Sequence, residues 1–141
     1  MDYSSIYTGA QIDEAVGKAL DMVDSVVEEH LDTTVGNWSY MKYASGVCVL
    51  WGQKTVDLGS VHKYTYNTNG FYTDSIEVPL PFNPGEAEST VVLGMAQNLC
   101  TVVNAFTGLS SGNPVMGFRL KREVDMSQVT PVRFLIIGRW Q

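Results

Sequence analysis

Apolar residues change rhythm once along this chain, near residue 33. Before that point they recur at Ile12, Val16, Ala19, Val23 and Val26, with His30 next, in steps of 4, 3, 4, 3 and 4. That is a heptad seam, with Ile12, Ala19 and Val26 at d and Val16, Val23 and His30 at a. Its start is marked as well. Thr8 is placed to accept from the Gln11 amide while the Gln11 side chain reaches back, as in a capping box. Tyr7 and Ile12 occupy the two positions of a hydrophobic staple.

After residue 33 the period falls to two. Residues 38–44 alternate, Ser45-Gly46 supplies a turn, and 47–51 run back, which predicts a hairpin because glycine accepts the positive φ such turns need. Further strands are predicted at 61–66, 75–81, 90–96, 100–106, 115–122 and 131–140. Asn67-Thr68-Asn69-Gly70, Asn83-Pro84-Gly85 and Ser110-Ser111-Gly112-Asn113-Pro114 separate them. Pro79 and Pro81 assign their strand to a sheet edge. The pattern predicts a mainly β chain. Residues 1–32 form a lead and an amphipathic coiled-coil helix, and 33–141 an antiparallel β-sandwich or barrel-like head.

The flanks of the seam bear on what the helix does. Ala15, Leu20, Met22 and Val27 fall at e and g, with Asp13 and Glu29 as the acids there. A stripe this wide leaves apolar surface wet in a two-stranded coil, and β-branched residues at both a and d favour more strands. A parallel homotrimer is expected, with Ile12, Val16, Ala19, Val23, Val26 and His30 at its interface. The competing expectation is one amphipathic helix lying on its own sheet. Gly17 costs about 1 kcal/mol relative to alanine in either case, so the helix needs a partner surface.

Charge sharpens the division. Between residues 10 and 32 Lys18 opposes seven carboxylates, while from Val35 onward eight Lys and Arg oppose seven Asp and Glu. The helix therefore carries the chain's net charge of −6, and the head is close to neutral. Neither part clusters the basic residues that a phosphate backbone requires, so nucleic acid is not expected as a partner. With 45% hydrophobic residues a packed core is within reach, and no apolar run is long enough to predict membrane insertion. Cys48 and Cys100 fit neither a CxxC motif nor a dense disulfide scaffold. Two free buried thiols are the expectation and a single bridge the alternative.

Candidate chemistry is sparse. His30 and His62 have no ligand-spaced companions, so no metal and no cofactor is expected. Glu86 and Glu88 sit in a turn, and the 108–112 loop lacks the lysine and helix of a phosphate loop. No catalytic residue is assigned and no enzyme is expected. Binding is more promising: Tyr66, Asn67, Asn69, Phe71 and Tyr72, with Tyr64 beside them, surround one turn. Aromatic faces stack on sugar C–H groups and Asn offers both donor and acceptor. The plain alternative is a strand–turn–strand with half-buried aromatics. The loop at 107–113, with Leu109, is a second candidate.

Three stretches together carry a resemblance: Tyr7-Thr8-Gly9-Ala10-Gln11-Ile12-Asp13, the run Trp38-Ser39-Tyr40-Met41-Lys42-Tyr43-Ala44-Ser45-Gly46 leading to Trp51-Gly52, and Ile137-Gly138-Arg139-Trp140. In this order they resemble C-terminal head modules of bacteriophage and prophage tail fibres and related tail proteins. The resemblance implies a trimeric virion tail component, made in the bacterial cytoplasm. Its partners would be other tail proteins and a host cell-surface glycan or protein met by exposed head loops. It leaves two other readings standing, a structural trimerisation cap without receptor binding and a polysaccharide-degrading enzyme. The long fibrous shaft of such proteins has no counterpart in this sequence.

Overall fold

A computed structural model describes residues 8–22, 24–31, 38–67, 70–123 and 127–141, of which 19–22 and 66–67 are described in backbone only. It opens with α1, Gly9–Met22. The capping box is formed: the Thr8 amide donates to Gln11 Oε1 at 2.9 Å, and the Gln11 amide to Thr8 Oγ1 at 3.2 Å. Lys18 meets Glu14 at 3.2 Å one turn away. Tyr7, the staple partner, lies outside the described residues.

The helix is shorter than the heptad pattern predicts. Val26–His30 is a strand, β1, so Val26 and His30 are not positions of a helical seam, and Val23 lies outside the described residues. Contacts with the distant turn at Ser45-Gly46 explain the difference. The Asp24 carboxylate accepts from the Ser45 amide at 2.9 Å and the Ser45 hydroxyl at 2.6 Å, and the Ser25 carbonyl accepts from Ala44 N at 2.8 Å. Asp and Ser drawn into such bonds leave a helix readily, and the Val26-Val27 pair that follows favours a pleated strand. Glu28 then binds Lys42 at 2.7 Å and accepts from the Tyr40 hydroxyl at 2.9 Å, while His30 stacks on Tyr40 at 5.5 Å. The β-structure thus begins at Val26 rather than after residue 33.

The remaining strands are β2 (Trp38–Tyr43), β3 (Val47–Asp57), β4 (Lys63–Asn67), β5 (Gly70–Thr73), β6 (Ile76–Pro79), β7 (Val91–Ala96), β8 (Thr101–Ser110), β9 (Asn113–Arg122) and β10 (Val129–Arg139). They form two antiparallel sheets. The first runs β1-β2-β3-β10-β7. In the second, β9 is central, with β8 along one side, β5 and β6 along the other, and β4 outside β5. The predicted hairpin at 38–51 is β2 and the start of β3. β6 is an edge strand that pairs only with β9 among the described residues, as Pro79 predicts. The expected loop at 107–113 is instead the end of β8, a turn at Ser111-Gly112 and the start of β9. Both turn residues have positive φ, 52° and 82°, the geometry whose twist matches a tight hairpin.

The sheets face each other over one core. Alternate residues of β3 and β10 point inward, Cys48, Leu50 and Val56 against Val132, Phe134 and Ile136, and Met116, Phe118 and Leu120 of β9 meet them. Phe118 and Phe134 have ring centroids 4.7 Å apart. Trp38 Nε1 donates to the Pro79 carbonyl at 2.9 Å, and Thr73 Oγ1 accepts from the Leu120 amide at 3.0 Å, whereas the buried Thr107 hydroxyl has no hydrogen-bond partner among the described residues. Gly138 lets β10 approach the Pro84 carbonyl, where a Cβ would sit 2.1 Å from the oxygen. Cys48 and Cys100 are free and buried, and burial pushes both thiols up from their usual pKa.

Candidate functional site

Cross-strand pairing places four polar or aromatic residues in one row on the outer face of the second sheet. Tyr64 of β4 pairs with Tyr72 of β5, Tyr72 with Lys121 of β9, and Lys121 with Thr101 of β8. The alternation Phe118-Arg119-Leu120-Lys121 buries the apolar members and turns Arg119 and Lys121 outward. The rings of Tyr64 and Tyr72 lie 6.0 Å apart, and the Arg119 guanidinium stands 5.8 Å from the Tyr64 ring while donating to its hydroxyl. His62 extends the row, 6.2 Å from Tyr64, with Nδ1 held 2.8 Å from the Asp74 carboxylate. At the β8 end a cavity of about 320 Å³ opens between Leu99, Thr101, Lys121, Arg122 and Glu123. The surface combines aromatic faces, cationic donors and carboxylate acceptors. Such a surface suits a polar ligand with exposed C–H faces.

The sequence reading brought only part of this together. Tyr72 is on the platform, but Phe71 points the other way and packs against the core, because neighbours in a strand alternate. Phe71 and Tyr72 therefore do not line one site. Tyr66 and Asn67 belong to the end of β4, described in backbone only, and Asn69 lies outside the described residues. Arg119, Lys121, His62 and Asp74 were missed as a group. They come from separate segments, and only the pairing of β4, β5 and β9 unites them. The second predicted loop offers less: Thr107 is buried in β8, and Leu109 is 63% exposed.

Two further surfaces are bare. Every side chain from Thr8 to Lys18 is exposed, with Ile12 at 47% and Val16 at 52%, so this stretch of α1 does not lie on its own sheet. The outer face of the first sheet is apolar over two adjacent rows. In one, Met41 pairs with Val49, Val49 with Ile137 and Ile137 with Val91; in the next, Trp51 pairs with Leu135 and Leu135 with Leu93. Glu29 borders the first row on β1, and Arg133 and Gln53 lie beyond the second.

Neither protein-family models nor curated proteins give a match to this chain. Solved structures do. An N-truncated R1-type pyocin tail fibre superposes over 96% of this chain and 99% of its own, with a TM-score of 0.50 and 15% identity. A P. aeruginosa R1 pyocin fibre comprising C-terminal residues 323–701 superposes over 94% of this chain, again with a TM-score of 0.50 and 15% identity, and this chain spans 32% of its length. The fold, two antiparallel sheets behind a short N-terminal helix, is thus one found in pyocin tail fibres.

Proposed function

We propose that the chain is a tail-fibre head module of a phage or phage-derived particle, which trimerises in parallel through α1 and meets a cell-surface glycan with the outer face of its second sheet. The observation that carries this reading is the likeness to a pyocin tail fibre over nearly the whole chain. The bare apolar stripe of α1 supports the trimer. A 14-residue helix is marginal alone in water, and this one has Ile12 and Val16 exposed with Ala19 one turn further on. Residence in the tail, contact with other tail proteins and a protein receptor as the alternative to a glycan belong to the same reading.

The Tyr64–Tyr72 pair supports glycan contact. Sugar rings present C–H faces to aromatic planes and hydroxyls to Arg119, Lys121 and Asp74. Binding of the purified protein to host cells and to a glycan array tests it, with Tyr64→Ala combined with Tyr72→Ala as the variant. Binding is expected to fall at least tenfold with native mass unchanged. Undiminished binding by the double variant removes the platform from recognition. A wild-type protein that binds neither cells nor glycans favours the structural cap.

A further inference from the structure

We propose that the outer face of the first sheet is the surface on which a second copy of this chain docks. The face is apolar where an antiparallel sheet beside water alternates apolar with polar. Strands covered on both faces read as unbroken apolar runs, and β7 (Val91, Val92, Leu93, Gly94, Met95, Ala96) and the middle of β10 (Phe134 to Ile137) have that composition. Only one side of each is covered. Leu93 is 57% and Met95 72% exposed, and Val91, Ile137 and Trp51 are exposed beside them. Together they present on the order of 500 Å² of apolar surface, at the upper end of the largest patch of a typical monomer and of the kind that marks an interaction site.

Area, tethering and charge point to another copy as the occupant. A patch of about 500 Å² falls short of the roughly 800 Å² that each partner of a stable complex contributes. The stripe of α1 supplies more, and an assembly of like chains covers both surfaces at once. The two are also close along the chain. Asp24 is pinned to Ser45 in the β2–β3 turn, Val26 pairs with Tyr43, and the Met41–Val49–Ile137–Val91 row begins just beyond. Met22 and Val26 are at most about 14 Å apart along an extended chain. Copies joined by α1 therefore hold their first sheets at high local concentration. Glu29 and Arg133 stand on opposite borders of the face, so neighbouring copies can pair opposite charges around a ring.

This inference rests on the trimer reading and fails separately from it. The test compares full-length wild type with Leu93→Glu and, as the milder change at a more exposed position, Met95→Lys, each checked for an intact fold by circular dichroism. Sedimentation over a dilution series gives the concentration of half-dissociation. Iodide quenching, corrected with Trp51→Phe, reports access to Trp51. Half-dissociation is expected to rise at least tenfold in each variant, and Trp51 in the wild type to be shielded until dilution. A wild-type trimer whose variants dissociate at the same concentration, with Trp51 equally quenched throughout, overturns the docking face and leaves the trimer standing. A wild type that is a single chain at every concentration overturns both. Should Leu93→Glu fail to fold, Met95→Lys and the wild-type quenching decide.

Discussion

The two sheets of this head share a core but turn opposite surfaces outward. On the second sheet the outward positions of β4, β5 and β9 hold Tyr64, Tyr72, Arg119 and Lys121, each tied into ring contacts or polar bonds. On the first, the equivalent positions of β7 and β10 hold Val91, Leu93, Met95, Leu135 and Ile137, with Arg133 beside Met95 at the border. Both faces rest on the same inward residues, so the contrast is not a matter of fold. On the proposed reading it reflects the environment each face meets: a face for water and polar ligands carries groups that stay solvated, and one covered by another copy does not. In the assembly proposed above, exposure within one chain and exposure in the particle are different quantities.

The comparison breaks most completely at its shared floor. Phe118→Ala, fully buried between the sheets, is expected to cost about 3–5 kcal/mol and to collapse both faces together. Urea unfolding measures the loss, and a cost under 1 kcal/mol would mean the sheets do not depend on a common core. Val16→Asp acts on assembly alone. Carboxylates gathered in a desolvated layer are strongly unfavourable, so the native mass is expected to fall to that of one chain while the β-sheet circular dichroism persists. An unchanged mass would place the contacts in the heads.

Smaller changes sharpen the contrast. Tyr64→Phe removes the hydroxyl that accepts from Arg119 on the second sheet and is expected to cost about 0.5–1.5 kcal/mol without altering mass, read from the same urea curves. The smallest effect belongs to the border strand β1. The hydrogen bond from Lys42, then that from Tyr40, holds the Glu28 carboxyl below its usual 4.5. A lowered folded-state pKa means the stabilisation is present above the unfolded value and is lost as pH falls through the folded one. Amide exchange in β1 should therefore quicken, relative to β10, as pH falls below that usual value, and Glu28→Gln should abolish that dependence. An equal acid response in that variant would exclude Glu28 as its source.

Much of this architecture is legible in the sequence where the signal is local. Thr8 and Gln11 cap as their spacing dictates, the turn at Ser45-Gly46 joins the strands it should, and Pro79 marks an edge. β1 was hidden because Val26 and His30 satisfy a heptad as well as a strand, and the deciding bonds from Asp24 reach Ser45, 21 residues away. β5, only four residues long, starts at the end of the predicted 67–70 turn and is foreseen only in the strand–turn–strand alternative. The platform was half visible. Tyr72 stood out by type, but Lys121 is joined to it by register and Arg119 reaches Tyr64 across strands, which composition and periodicity do not encode.

The most direct test is the native mass of the purified chain at micromolar concentration, measured by light scattering behind size exclusion. A fibre head that hides its apolar helix and first sheet among copies gives three times the 15.5 kDa chain mass. A clean single-chain mass, with Ile12, Val16 and Leu93 all in water, contradicts it.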